Sequence, residues 1–369
     1  MEDLFPTDLK TIQSRILKIN PIEYSKTINY LDGKVNYISP YLTHGVITTA
    51  DVAHTAISRY GKKESRTLIF ELAWKEYWNK VWSNLKSIIE DDIDKPQDKV
   101  IHYKLIKSII NAQTGIKVID RAINNLYTNG HLHFTERMWI ASLTCNIGQS
   151  HWKYPSKWMY YYLLDGDIAG NSLNWQSIAG TFGGDKYYVN QESINKYSRA
   201  EQCNTFLDKS LKEIRVMKVP FELQELVKDL ELRTELPQSQ ITEIDSEQPV
   251  LLFNMWNINP IWHAHKKAQK VLVLEPSHFN KFPISSKRIE FILNLAKNIP
   301  DLKLFVGEIY ELKGLNRCKD VISINHQCTN HWPGKKEERG CIFKEVNGKF
   351  KSFENFWEEA EEAYMDLKI

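Results

Sequence analysis

Residues 165–175 read DGDIAGNSLNW and carry the most specific pattern in this chain. Asp165 and Asp167 precede a predicted helix, and Asn171 follows Asp167 by one helical turn. Trp175 follows Asn171 by a second turn, and residues spaced by four along a helix lie on one face. An acid, an amide and an indole in one stripe suit a large aromatic ligand with a polar edge better than a plain hydrophobic core. The pattern therefore predicts a ligand site on a helix.

The sequence around this stretch has a helical pattern. Gly115 and Gly130 stand where helices are expected to end. We predict a helical domain over residues 1–200 and a helical connector with a linker over 201–245. Apolar residues recur at helical spacing over residues 67–85, 101–112, 116–127 and 137–147.

The last part of the chain has a different pattern. Its alternation of strand and helix predicts a small parallel α/β domain over residues 246–369. This region has no Gly-x-Gly-x-x-Gly or phosphate-loop motif, so its motifs do not indicate a function. Short runs rich in Val, Ile, Leu and Phe occupy residues 249–253, 270–274, 302–306 and 320–324, and an amphipathic helix is predicted over 286–298.

Composition and charge narrow the class of protein. The 369 residues are 42% hydrophobic and 25% charged, as in ordinary globular proteins. The net charge of +2 does not by itself indicate a nucleic-acid partner. No apolar run approaches the ~18 residues of a membrane helix. Because no signal peptide is recognisable either, we expect a cytoplasmic protein without a membrane contact, and no obligate protein partner is evident.

The cysteines indicate reduced thiols and no metal site. Their number, five, is odd and their spacing is irregular. Cys318, Cys328, His331 and Cys341 contain no tight Cys-x-x-Cys pair, so we interpret them as unconnected residues.

Two further motifs precede the stretch at 165–175. They are ELAWKEYW at residues 71–78 and LHFTERM at 132–138. Together the three resemble the flavin-binding core of the DNA photolyase/cryptochrome family, and the resemblance covers roughly residues 20–200. It implies an all-α FAD-binding domain of photolyase/cryptochrome type. With the strand–helix pattern described above, we predict a multi-domain protein in which a small α/β Rossmann-like domain follows the FAD-binding domain. FAD is the implied cofactor.

The resemblance assigns seven residues to FAD. On the phosphate side they are Tyr24, Asn36 and Ser39. Ser39 precedes an apolar helix and could cap it, and helix N-termini attract phosphate. Val35 and Tyr37 depart from the Thr and Arg that are frequent in the family. On the ring side the residues are Arg137, Asp165, Asp167 and Asn171.

The ring-side residues have distinct implied roles. Arg137 is expected to form a bidentate ion pair with Asp165, which would keep the acid ionised. Asp167 would face the polar edge of the isoalloxazine ring. Asn171 aligns with the residue that faces flavin N5, and asparagine there is the choice of photolyases. This favours a fully reduced flavin as the working state.

The resemblance also implies contacts to damaged DNA. Glu71 and Trp74 share a helix face because they are three residues apart. With Met138 and Asn171 they form the predicted catalytic set: Glu71 bonds or protonates the damaged bases, and Trp74 stacks on them. In isolation, the simpler interpretation would pair Glu71 with a neighbouring lysine and bury Trp74.

Trp175 and Trp152 match the first two tryptophans of the family's electron-transfer chain. The third, surface tryptophan has no equivalent in this sequence. Tyr103, Trp158 or the tyrosines at 160–162 are the candidate substitutes.

The order of the predicted domains departs from the family. Its members carry an α/β antenna domain before the FAD domain, whereas the α/β segment here follows it. Residues 273–279 and the helix at 286 resemble a fragment of that antenna domain. Whether the segment holds a second, antenna chromophore is left open, and a purely structural role is an equal alternative.

The leading hypothesis is a light-driven DNA repair flavoenzyme that transfers an electron from reduced FAD to a pyrimidine dimer. Its partner would be DNA with UV lesions, single- or double-stranded. The alternative is a cryptochrome-like blue-light photoreceptor that binds FAD without repairing DNA. Phe134 and Ser177 favour this alternative, since they stand where the family has an asparagine and a second stacking tryptophan. A third possibility is a flavin- or nucleic-acid-binding protein for which light is irrelevant.

Overall fold

Helices build the first part of the chain and a parallel sheet the last part. The computed structural model describes residues 4–227, 230–350 and 352–367. The helices of the first part are α1 (Leu9–Leu17), α2 (Pro21–Thr27), α3 (Ser39–Thr43), α4 (Thr49–Leu85), α5 (Lys107–Ile110), α6 (Lys117–Asn129), α7 (Phe134–Ser142), α8 (Lys153–Tyr162), α9 (Ile168–Ala179), α10 (Gln191–Ser198) and α11 (Leu211–Val216). Those of the last part are α12 (Pro276–Lys281), α13 (Ser286–Ala296) and α14 (Phe353–Asp366). A π-helical turn, Leu143–Ile147, follows α7.

Two helices carry most of the motif residues. Helix α4 begins with a capping box formed by Thr48 and Asp51, and it kinks at Gly61, where φ is 79°. Helix α9 begins at Asp167, whose side chain accepts a hydrogen bond of 2.8 Å from the Gly170 amide. The helix that the sequence predicts after the two acids is therefore confirmed.

The helix predicted over residues 101–112 is wrong for most of its length. Only α5, four residues long, is helical there. The Ile101 amide donates to Gln149 O at 3.0 Å and the Lys107 amide to Glu225 O at 2.8 Å. Tertiary pairing thus supplies the backbone hydrogen bonds that a local helix would otherwise make, and it overrides the apolar spacing.

The sheet has five parallel strands in the order β3-β2-β1-β4-β5. All four predicted strands are confirmed. The fifth is a short edge strand of charged residues and gives no apolar signal in the sequence. The strands are β1 (Val250–Phe253), β2 (Gln269–Leu274), β3 (Leu302–Val306), β4 (Val321–Ile324) and β5 (Lys335–Glu337).

The largest hydrophobic core runs from the helices into the sheet. Leu251 and Phe253 of β1 belong to the same buried cluster as Leu72 of α4. The alternate residue Val250 packs with Trp332 in a separate cluster. Because successive strand residues point to opposite faces, one face of the sheet is buried in the core that the helices share. The two parts of the chain therefore fold against each other.

Glu76 ties the C-terminal region to α4. Its buried carboxylate accepts hydrogen bonds from the backbone amides of Ile342 at 2.8 Å and Phe343 at 3.0 Å. The hydroxyl of Thr49 donates to the same carboxylate. Burial raises the pKa of Glu76, and these three hydrogen bonds partly offset that effect. One side chain thus satisfies three polar groups that would otherwise be buried without a partner.

Replacing Glu76 with alanine should destabilise the protein. Each buried polar group that loses its partner costs about 1–3 kcal/mol, so we expect Glu76→Ala to lower the free energy of unfolding by about 3 kcal/mol. Urea denaturation followed by circular dichroism measures this change. The matched control is Glu64→Ala at an exposed position of the same helix. Equal losses in the two variants would contradict the role of Glu76.

Candidate functional site

A cleft of about 520 Å³ opens between helices α4, α7 and α9. Its volume lies within the range of ordinary ligand pockets. Its wall combines aromatic side chains with three carboxyl groups, one lysine and one arginine. The lining residues are Ser39, Glu71, Trp74, Lys75, Trp78, Phe134, Arg137, Met138, Ala141, Met159, Leu163, Asp165, Gly166, Asp167, Gly170, Asn171, Asn174, Trp175, Ser177 and Ile178.

Helix α9 contributes its predicted stripe to this wall. Asp167, Asn171 and Trp175 all line the cleft. The Asn171 amide nitrogen donates to Ser156 O at 2.9 Å, which fixes the side chain. The stripe therefore presents a polar edge and an indole together, as the spacing predicts.

The Asp165 carboxylate is the most deeply buried charged group of the wall. Arg137 Nη2 lies 2.9 and 2.8 Å from its two oxygens. The predicted bidentate geometry is wrong in one respect, since a single nitrogen contacts both oxygens while Nη2 and Nε also donate to Leu132 O. Burial would raise the pKa of Asp165, but Arg137, His131 and a hydrogen bond from Ser39 hold it below its usual range.

Asp167 has a different cation. Lys75 Nζ lies 3.5 Å from its Oδ2 and donates to the Thr43 hydroxyl at 3.1 Å. Burial alone would raise the pKa of Asp167, but this ammonium and the Gly170 amide lower it. The two carboxylates are thus ionised and are held by cations from different helices.

Glu71 and Trp74, which the sequence predicts as lesion contacts, also line the cleft. Burial raises the pKa of Glu71 to about 7. Trp74 stacks on Phe353 of α14, with the ring centroids 3.6 Å apart and the planes 8° from parallel. An aromatic ring from the end of the chain therefore supports the tryptophan that lines the cleft. The amphipathic pattern at residues 353–366 could have indicated α14, but no sequence signal predicts its contact with Trp74.

Of the three residues predicted on the phosphate side of FAD, only Ser39 lines the cleft. Its predicted capping role is wrong: it is the first residue of α3, and Ile38 holds the cap position without a side-chain hydrogen bond. Tyr24 does not line the cleft, yet burial and the nearby Glu71 raise the pKa of its phenol. Asn36 is half-buried in the loop before α3 and lies outside the cleft wall.

The two departures from the family motif lie in the same cleft. Phe134 is 39% exposed and packs at an angle against His133, with ring centroids 4.8 Å apart. Ser177 and Met138 also line the wall. Compared with the family pattern, the cleft therefore has an apolar ring in place of an amide at Phe134 and a smaller side chain at Ser177.

Trp152 lies behind the cleft and is the first ring of an aromatic series that leads towards the surface. It shares a small adjoining cavity with Asn171, and its indole nitrogen donates to Asp92 Oδ1 at 2.6 Å. His151 lies 5.8 Å from the Trp152 ring, and Tyr103 stacks on His151 at 4.7 Å. Tyr103 is 67% exposed, so an aromatic series joins the buried indole to solvent.

Two absences apply to the described residues. Within residues 4–227, 230–350 and 352–367, no group of three His, Cys, Asp or Glu side chains is arranged to hold a metal ion. Over the same ranges, the helices lack the combined length and apolar character that a bilayer crossing requires.

Comparison with known proteins identifies the part of the chain that forms this cleft. Residues 68–229 match the family model described as the FAD-binding domain of DNA photolyase. A deoxyribodipyrimidine photo-lyase of Streptomyces griseus is 28% identical over 152 residues, which are 39% of this chain and 32% of the relative. A cryptochrome DASH of Natronomonas pharaonis is 25% identical over 202 residues, 50% of this chain and 42% of the relative.

Two solved structures are similar to this chain at lower sequence identity. The Synechocystis cryptochrome aligns with a TM-score of 0.46 and 19% identity, over 52% of this chain and 44% of that one. A class III photolyase from Agrobacterium tumefaciens aligns with a TM-score of 0.43 and 21% identity, over 51% and 42%. The chain spans less than half the length of these curated relatives. Residues 68–229 are thus similar to the FAD-binding domain of the DNA photolyase/cryptochrome family.

Proposed function

We propose that the protein repairs pyrimidine dimers in DNA with light, using FAD held in the cleft between α4, α7 and α9. The observation that carries this proposal is that the predicted ring-side cofactor residues and the predicted lesion contacts line one cavity. Asp165 and Asn171 line it together with Glu71 and Trp74. A base placed there would be next to the cofactor.

The donor set of the cleft fits FAD. A flavin ring needs flat apolar walls and hydrogen-bonding groups along one edge, and Trp175 and Met159 supply apolar surface beside Asp165 and Asn171. When bound, the flavin supplies a light-driven electron transfer to the lesion. Arg137 and Lys75 hold the two carboxylates of the wall in ionised form. Asn171 offers an uncharged polar group at the cofactor's edge.

Trp74 and Glu71 suit a base that has left the double helix. A stacked pyrimidine pair must be flipped out of a duplex, or taken from a single strand, to enter the cleft. Trp74 offers a ring that Phe353 keeps in place. Because the pKa of Glu71 is about 7, its carboxyl is protonated about half of the time at neutral pH and can donate a hydrogen bond to a base carbonyl.

Electron supply to the cofactor is proposed to run through tryptophans. Trp175 lines the cleft and Trp152 lies behind it. Tyr103, which stacks on His151, would take the place of the missing surface tryptophan. Of the candidates named from sequence, Trp158 is buried and its indole donates to the Tyr127 hydroxyl at 3.1 Å, which makes it the weaker choice.

A cryptochrome-like photoreceptor is the second candidate. The specific observation in its favour is that Phe134 and Ser177 both line the cleft. Two contacts expected for a lesion are therefore lost at the position where the lesion would bind.

Asp165 and Arg137 should control FAD retention. Truncating one partner of a buried charge pair costs about 2–5 kcal/mol, so Asp165→Asn should weaken FAD binding by roughly thirtyfold or more. The flavin-to-protein absorbance ratio after gel filtration and an FAD titration measure this. Glu64→Gln, at an exposed position, is the control. Full flavin content in both Asp165→Asn and Arg137→Met, with unchanged circular dichroism, would refute the site.

Glu71 should make stability depend on pH. Its proton is held up to about pH 7 in the folded protein but only to about 4.5 in the unfolded chain. Stability is therefore lost as pH rises through this window. Glu71→Gln removes the penalty, so its Tm advantage over the unmodified protein should be larger at about pH 8 than at about pH 5. Glu64→Gln should show no such trend. An equal Tm difference at both pH values would contradict the raised pKa.

Blue-light repair of a cyclobutane-dimer oligonucleotide is the direct test of the function. We expect light-dependent loss of dimer by the photoreduced protein, on single or double strands, and none in darkness. Trp74→Ala should lower the repair rate about tenfold or more while FAD stays bound, because stacking on one aromatic ring stabilises a base by about 1–3 kcal/mol. No repair by a protein that binds FAD and photoreduces would instead favour the photoreceptor.

A further inference from the structure

A buried arginine from the sheet region lies against a loop that lines the cleft. Arg288 lies in the first turn of α13, is 0% exposed, and is among the largest completely buried side chains. Its neighbours on that helix, Ile289, Phe291 and Ile292, are core residues. An arginine in such a position is unusual, because removing its charge from water costs several kcal/mol.

The guanidinium lies directly against the loop between the two acids of the wall. Arg288 Nη2 donates to Gly166 O. A Cβ atom built on Gly166 would lie 2.5 Å from Arg288 Nη1 and 2.9 Å from Tyr160 O, so only glycine admits the guanidinium here. The guanidinium carbon lies 5.0 Å from the centre of the Tyr160 ring. The arginine is thus fixed behind the loop from which Asp165 and Asp167 extend.

Arg288 is an additional cation beside this loop. Arg137 contacts Asp165 and Lys75 lies close to Asp167, so each carboxylate already has a cation. Arg288 interacts electrostatically with both carboxylates as a third cation. Arg339 also acts on Asp167, and the carboxylates of Glu76 and Asp51 oppose its charge.

The histidines near this loop add no positive charge to it. Burial lowers the pKa of His44, His278 and His326 to about 3 and that of His131 to about 4, so these four rings are neutral at physiological pH. Arg288 is therefore a third positive charge that faces the two carboxylates of this loop.

We propose that Arg288 is a positioning residue that raises the reduction potential of the flavin in this cleft. The inference rests on FAD occupying the cleft, not on DNA repair. Reduction of the flavin by two electrons and one proton leaves a negative charge on the ring system. A buried cation beside the cleft stabilises that anion relative to the neutral oxidised ring, since electrostatic interactions are strong where water is excluded. The sheet region would thereby tune a cofactor that the helical region binds.

The experiment compares flavin midpoint potentials in the full-length holoprotein. Arg288→Met removes the charge at similar length, and Arg288→Lys keeps it. The matched control is Lys287→Met, which removes the same charge one residue earlier, where the ammonium is exposed and donates to Thr128 O. Potentials are measured by anaerobic dithionite titration against a reference dye, with dithionite as the electron source.

We expect Arg288→Met to disfavour the reduced flavin by at least about tenfold relative to the oxidised form, which equals a fall of about 30 mV for a two-electron couple. Arg288→Lys should retain most of the original potential, and Lys287→Met should match the unmodified protein. An unchanged potential in Arg288→Met with FAD bound would overturn the proposal. So would an equal fall in Lys287→Met.

A second variant covers the case in which Arg288→Met does not fold. Gly166→Ala leaves every charge in place but forces the guanidinium away from the loop. We expect a smaller fall in the potential, and an unchanged value would overturn the proposal. Repair activity enters neither measurement, so failure of the repair assay and failure of this inference are separate results.

Discussion

Two ionised carboxylates, two residues apart and both removed from water, impose the main physical constraint on this protein. An isolated buried carboxylate is too costly to remain charged, so each must have a cation with good geometry. The cations come from separate helices: Arg137 from α7, Lys75 from α4 and Arg288 from α13. Forming the loop at Asp165 therefore requires these three helices to pack around it. The cleft is a consequence of that packing.

The sheet region is integrated into this arrangement. Its inner face shares the core of the helices, α13 places Arg288 behind the loop, and α14 stacks Phe353 on Trp74. The ring nitrogens of His44 also lie 2.6 and 2.9 Å from the carbonyl oxygens of Met255 and Leu164. The sheet region thus contacts residues that form the cleft, which gives it a structural role whether or not it binds a chromophore of its own.

Phe134 and Ser177, the two departures from the family motif, change the chemistry of the cleft wall. Phe134 replaces a hydrogen-bonding amide with an apolar ring, and Ser177 replaces a large ring with a small hydroxyl. Both changes lie in the cleft that Asp165 and Asn171 also line.

The sequence by itself determined the features that depend on local spacing. Asp167, Asn171 and Trp175 lie on one face of α9 because a helix repeats every 3.6 residues. The four strands could be predicted because runs of Val, Ile, Leu and Phe are typical of buried parallel strands. Tertiary structure decided the rest. Residues 101–112 form backbone hydrogen bonds with residues far along the chain. Ser39 donates a hydrogen bond to Asp165 instead of capping α3. Arg288 and Phe353 contact residues of the cleft that are more than a hundred positions away in the sequence. Such contacts are set by how separate faces pack and how buried charges are compensated, and no local periodicity encodes either.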